Sequence, residues 1–207
     1  MPIFGVMNFR WVVCAWLLSL VPFCLQAQTL YQLDLGKSEV IIKGTSSLHD
    51  WWCRAEQLTG TLQAVQEQNQ LSELKSLSAT ASVAAIRSIR EDGAYYEKGM
   101  DKNVYRAMKS EQHPSVTFSL SKITSLTRLQ NGLATVNATG NLRIAGVTKS
   151  VSISATAKIQ QGGIVFEGKV PIKMTDYSID PPTALFGTIK TGNEVDVHFK
   201  MVFQPSK

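Results

Sequence analysis

The chain has 207 residues, of which 44% are hydrophobic and 18% charged, with a formal net charge of +5. That size and apolar content suit one domain with a sizeable core. The basic excess is small and lacks the dense Lys/Arg clustering of a nucleic-acid-binding surface, so nucleic acid is not expected as a partner.

The chain opens on a segment whose only charge is Arg10, followed by an apolar run from Trp11 to Leu25 and then Gln26 and Ala27. One positive charge, a short apolar stretch and a small residue at its end describe a secretory signal. The run has 15 residues, whereas a membrane-spanning helix needs about 20. We place cleavage after Ala27, although Leu25 is bulky for the −3 position. A lipidated Cys24 is the alternative, and Pro22 and Phe23 are poor residues to precede one. On this reading residues 1–27 are a signal peptide and 28–207 form the domain, periplasmic or secreted, with net charge +4 once Arg10 is lost. Cys14 and Cys24 leave with the signal, so Cys53 has no intramolecular partner. Its default role is a small apolar core residue, and the alternative is a thiol that reacts or pairs between chains.

The remaining chain alternates with a period of two, the mark of half-buried strands. Val40 and Ile42 alternate with Glu39 and Lys43. Between Trp51 and Ala64 the parity switches from Trp51, Cys53 and Ala55 to Leu58, Gly60, Leu62 and Ala64, which predicts a bulge or bend near Glu56-Gln57. Leu77, Ala79, Ala81 and Val83 alternate with Ser and Thr. Met100, Val104, Ala107 and Met108 then fall at helical spacing, predicting one helix over 100–111 that ends at His113-Pro114. Strand patterns return at Val116–Leu120, across Leu133 to Ile144, at Val151–Ile159, at Ile164–Met174 and at Val195–Phe203. Asn131-Gly132, Gln161-Gly162-Gly163 and Thr191-Gly192-Asn193 read as hairpin turns. Eight or so antiparallel strands with one apolar face each must close on themselves or stack as two sheets.

Catalytic signatures are sparse: no Gly-rich phosphate loop, no zinc-type Cys/His spacing and no nucleophile elbow. His49-Asp50 is the one pair that suggests acid–base or metal chemistry, although adjacent strand residues point to opposite faces. His113 reads as a capping or surface residue and His198 as exposed. The inward faces mix small residues (Ala79, Ala81, Ala155, Ala157, Gly168) with Phe118, Phe166, Phe199 and Phe203. Small walls mean either close approach of facing sheets or room for a guest, and periodicity leaves both open. A basic stripe, Lys98, Lys102, Arg106 and Lys109, with Arg87 and Arg90 upstream, reads as a solvated helix face. Its alternative is contact with a phosphate headgroup or, transiently, an anionic membrane surface.

Four stretches make the chain resemble the YceI-like domain family from about Tyr31 to Phe203. They are Tyr31-Gln-Leu-Asp-Leu with Ser38-Glu-Val-Ile-Ile; His113-Pro-Ser-Val-Thr-Phe118; Gly140-Asn-Leu-Arg-Ile-Ala-Gly-Val-Thr-Lys-Ser-Val151; and Gly192-Asn-Glu-Val-Asp-Val197. The third is the most specific. The resemblance implies an all-β, lipocalin-like antiparallel barrel of about eight strands with one short helix and an apolar interior cavity. It further implies a polyisoprenoid lipid as ligand, and it supplies no catalytic motif and no cofactor. Our inward-face assignments give the expected cavity wall as Ala79, Ala81, Val83, Phe118, Leu120, Ile153, Ala155, Ala157, Phe166, Val170, Val197, Phe199 and Met201. Arg87, Arg90, Lys102 and Arg106 are the expected headgroup contacts. Two alternatives stand beside this one: an envelope stress or interaction protein with a filled barrel, and a metal-dependent enzyme using His49. Oligomeric state is left open.

Overall fold

The computed structural model describes residues 29–96 and 98–206. The expected signal, its cleavage point, Cys14 and Cys24 lie outside the described residues. Among the described residues twelve strands and one α-helix follow in order: β1 Thr29–Leu33, β2 Glu39–Ser46, β3 Trp51–Ala55, β4 Leu58–Glu67, β5 Gln70–Ser82, β6 Ile86–Ile89, α1 Lys98–Ala107, β7 Ser115–Arg128, β8 Leu133–Ile144, β9 Val147–Gln160, β10 Gly163–Lys173, β11 Thr183–Ala184 and β12 Ile189–Pro205. All pairings are antiparallel.

The twelve strands reduce to a ring of eight staves. β1, β4, β5, β7, β8, β9, β10 and β12 pair in that order, and β12 returns to β1. β2, β3 and β6 continue three of these staves beyond a bend: β1 into β2, β4 back into β3, and β5 into β6. Register shows the continuity, with Tyr31 opposite Leu62 below the bends and Ile42 opposite Cys53 above them. β12 runs the whole height, pairing β1 at Leu33–Phe203 and β2 at Ile42–Val197. A closed ring leaves no edge strand along the lower barrel, which removes a template for aggregation.

The predicted bend falls where the parity switch placed it. β3 stops at Ala55 and β4 starts at Leu58. Across the gap Glu56 N–H donates to Ala85 O and Ser82 N–H to Gln57 O, both at 3.0 Å, so the ladder survives the kink. Tight turns set several neighbours. Ala145 (φ 46°) and Gly146 (φ 84°) join β8 to β9, and Gln161 and Gly162 join β9 to β10 with both φ positive, the geometry that matches strand twist in a two-residue hairpin. Gly146 is needed twice over, since a Cβ there would sit 2.6 Å from the His113 ring.

Two expectations need correction. Thr191-Gly192-Asn193 is not a hairpin turn but a bulge inside β12, where the register with β2 shifts between Thr191 and Val195. The Asn193 side chain supplies the reason: its Oδ1 accepts from Thr175 N–H (3.0 Å) and its Nδ2 donates to Thr175 Oγ1 (2.9 Å), holding the bulge against a neighbouring turn. The helix occupies 98–107 rather than 100–111, because Lys109 adopts a left-handed φ of 53° and ends it early.

The lower barrel is solid. Leu62, Ala64, Ile164 and Phe203 are fully buried there among Tyr31, Leu71, Ala134, Ala157 and Ile159. Phe166 meets Phe203 edge to face at 6.1 Å, a favoured aromatic geometry.

Candidate functional site

Above that plug the barrel is hollow. A cavity of about 440 Å³ lies between the staves and is bordered on one side by α1. The helix occupies a specific gap. The strand ladder ends at β6, and α1 packs there in place of another strand. Asp101 is buried at the joint: its Oδ1 accepts from Ser88 N–H at 2.6 Å and from Ser88 Oγ–H at 2.7 Å, and its Oδ2 pairs with Arg87 Nε at 3.0 Å. One carboxylate thus takes over a hydrogen bond that a neighbouring strand would have made. With the helix so anchored, Met100, Val104, Ala107 and Met108 face the cavity.

Eleven of the thirteen expected wall residues line this space: Ala79 and Ala81 of β5, Phe118 and Leu120 of β7, Ile153 and Ala155 of β9, Phe166 and Val170 of β10, and Val197, Phe199 and Met201 of β12. Two lie elsewhere. Ala157 is sealed in the basal plug at 1% exposure, one step below Ala155 on the same face. Val83 is buried in the short 3-10 turn Val83–Ala85 between β5 and β6, outside the cavity lining. Gly168, one of the small inward residues that periodicity leaves open between close approach and room for a guest, is covered, because a Cβ there would lie 2.8 Å from Cζ of Phe199 on the paired strand. Phe118 covers Gly140 in the same way, at 2.2 Å from where a Cβ would stand. The aromatic rings therefore pack onto the glycines and flatten against the wall, which keeps the lumen open.

Sequence reading missed the wall above the bends. Val40, Ile42, Trp51 and Cys53 belong to it, as do the helix residues. Their signal was present in the parity of β2 and β3 and in the apolar stripe of α1, but nothing in a periodicity says which apolar face meets a void. Cys53 is 1% exposed. Burial, with the Asp101 carboxylate second, pushes its thiol up to about 12, so it remains a neutral, unreactive apolar group at physiological pH.

The four expected headgroup residues are not brought together. Arg87 is committed to Asp101, and its guanidinium lies over the Tyr95 ring, 5.7 Å from the centroid. Lys102 and Arg106 are exposed, and at 3.6 residues per turn they fall opposite the cavity-facing Met100, Val104 and Ala107. Arg90 borders a shallow side cleft together with His49, Asp50, Trp51, Trp52, Glu91 and Tyr96.

His49 lies at the open end, where it lines both the cavity and the side cleft. Its Nδ1 is 2.5 Å from the Asp50 carbonyl, which can only accept, so Nδ1 carries the proton and Nε2 is left as an acceptor. The ring meets Tyr96 edge to face at 6.3 Å. Asp50 reaches His49 through its backbone oxygen rather than its carboxylate. Among the described residues no group of three or more His, Cys, Asp or Glu stands close enough to hold a metal ion.

A family model for the YceI-like domain matches residues 31–203. No curated protein matches the chain. Among solved structures the chain is similar to BcnA of Burkholderia cenocepacia, with a TM-score of 0.62, 19% identity, and 82% of this chain and 98% of that one covered. It is similar also to a polyisoprenoid-binding domain from Saccharophagus degradans implicated in plant cell wall breakdown (TM-score 0.63, 12% identity, 85% and 98% covered). A third likeness is the Campylobacter jejuni YceI protein, with a TM-score of 0.53, 18% identity, and 75% and 84% covered. At such identities these likenesses establish the fold alone.

Proposed function

We infer the function from two premises: the chain belongs to the YceI-like domain family, and its barrel is hollow at one end and sealed at the other. The protein is an exported carrier that holds a long apolar molecule, a polyisoprenoid chain, inside the barrel, and it performs no reaction on it. The single observation that carries this reading is the wall, where side chains from β2 to β12 and from α1 surround one continuous apolar space. Each methylene moved from water into such a space contributes about 0.8 kcal/mol, so a long tail binds tightly even after the cost of immobilising it. The similarity to a structure described as a polyisoprenoid-binding domain supports the ligand class.

Export follows from the N-terminal pattern, a short apolar run after Arg10 and a small residue at Ala27. It also suits the chemistry, since an isoprenoid outside the cytoplasm needs an apolar container to cross water. The test is to purify the protein from its host, extract it with organic solvent, and identify what was bound by native mass spectrometry and lipid analysis. Co-purification of an isoprenoid is expected. A protein that carries no lipid and binds no added isoprenoid would sink the reading. N-terminal sequencing of the mature protein tests export separately, with Gln28 expected as the first residue.

A further inference from the structure

We propose that the ligand has an uncharged polar head, a hydroxyl or a carbonyl, and that the same tail carrying a phosphate head is discriminated against. This rests on the reading of the barrel as an isoprenoid carrier and adds to it the chemistry of the ligand's other end.

Among the described residues, no Asp, Glu, Lys or Arg contributes to the cavity wall. His49 and Tyr96, whose rings meet edge to face at 6.3 Å, offer hydrogen-bonding groups to it, and Asn103 adds an amide from the middle of α1. The His49 tautomer is fixed by the Asp50 carbonyl, so Nε2 presents an acceptor to a hydroxyl. The Asn103 amide offers both a donor and an acceptor, which suits a hydroxyl or a carbonyl. Ser46 is less available, because its hydroxyl already donates to His49 O at 2.7 Å.

A phosphate or diphosphate would need cations, and they are elsewhere. Arg87 neutralises Asp101 at 3.0 Å. Lys102 and Arg106 lie on the far side of α1. Arg90 borders the adjoining side cleft, but Glu91 and Asp50 border the same cleft, so the local balance is anionic. An anionic head drawn into this end would lose water and gain no compensating charge, which is strongly unfavourable. A hydroxyl or carbonyl loses far less and recovers it in one or two hydrogen bonds.

The experiment compares two probes with one C20 tail, geranylgeraniol and geranylgeranyl diphosphate, titrated into protein purified from its host and stripped of lipid. Tryptophan fluorescence reports occupancy, since Trp51 is part of the wall. The alcohol is expected to bind about tenfold tighter or better. In His49→Phe and Asn103→Leu that advantage should shrink to about threefold or less, while a C20 hydrocarbon with no head binds as to the parent. Equal or tighter binding of the diphosphate would overturn the head assignment and leave the carrier reading standing. Failure of both probes would overturn both readings. Alcohol affinity unchanged in both variants would overturn recognition by His49 and Asn103.

Discussion

The two ends of this barrel are built from the same staves, yet one is packed solid and the other encloses a void. β9 places Ile159 and Ala157 in the plug, then Ala155, Ile153 and Val151 along the cavity. β12 does the same, with Phe203 in the plug and Met201, Phe199 and Val197 above. Residue size does not separate them, since Ala157 is sealed and Ala155 is not. The difference arises in the perimeter. Below the bends the ring closes strand to strand, while above them it ends at β6 and a helix completes the wall. A helix is about 10 Å across with its side chains, against 4.7–4.9 Å between neighbouring strands. The upper circumference is therefore wider for the same number of staves, and side chains that fill the base cannot reach across the top.

This contrast predicts that substitutions will divide cleanly between stability and binding. The largest effect is expected at the base. Phe203→Ala removes a ring at 0% exposure that packs on Phe166 and Leu62, and should cost about 3–5 kcal/mol of unfolding free energy. Chemical denaturation measures it, and a loss below 1 kcal/mol would mean that the base is not the close-packed anchor described above. The joint between helix and strand comes next. Asp101→Asn keeps the shape but weakens the bonds from Ser88 and the pairing with Arg87, at an expected cost of about 1.5–3 kcal/mol. Hydrogen exchange should quicken in α1 and β6 before it does in β9 or β10. Uniform quickening would show that the helix is not the independent wall element the comparison requires.

In the upper barrel the effect moves from stability to affinity. Ala155→Trp and Ala81→Phe place bulk inside the lumen, where space exists to receive it. Each should weaken isoprenoid binding about tenfold or more, a change of about 1.4 kcal/mol, while the denaturation midpoint shifts little. Unchanged affinity in both would show that the tail lies along a different wall.

Much of this was legible in the sequence, for a physical reason. Strand periodicity reports which face is apolar, so eleven of the thirteen residues assigned inward do line the lumen. The parity switch at Glu56-Gln57 located the bend because a bulge must exchange the faces of a strand. Height along the barrel was not legible. Ala155 and Ala157 share a face and a residue type, and only the closure of the ring decides that one meets the plug and the other the void. Nor was the fate of the cations visible. Arg87 lies 14 positions from Asp101, and no local pattern announces that a buried carboxylate will claim it. The His49-Asp50 pair was legible as a pair but not in its geometry, because the contact runs through a backbone carbonyl.

The smallest expected effect is also confined to the upper barrel. Cys53 sits in the cavity wall with its thiol pushed from an ordinary 9.0 to about 12, chiefly by burial. In the unfolded chain that thiol ionises near its ordinary value, while in the folded protein it keeps its proton. Between pH 9 and about 12 the native state therefore binds more protons than the unfolded one, and stability falls as pH rises through that window. Below pH 9 both states hold the proton and Cys53 contributes no pH dependence. Cys53→Ala should flatten the alkaline slope relative to the parent, leaving the part due to buried tyrosines such as Tyr177, which burial also raises. The parent should likewise resist alkylation by iodoacetamide at pH 8 until it is unfolded. Rapid labelling of the native protein would mean that the upper wall admits water and reagent to a group it should keep dry, and the contrast between a dry lumen and its open end would need redrawing at Cys53.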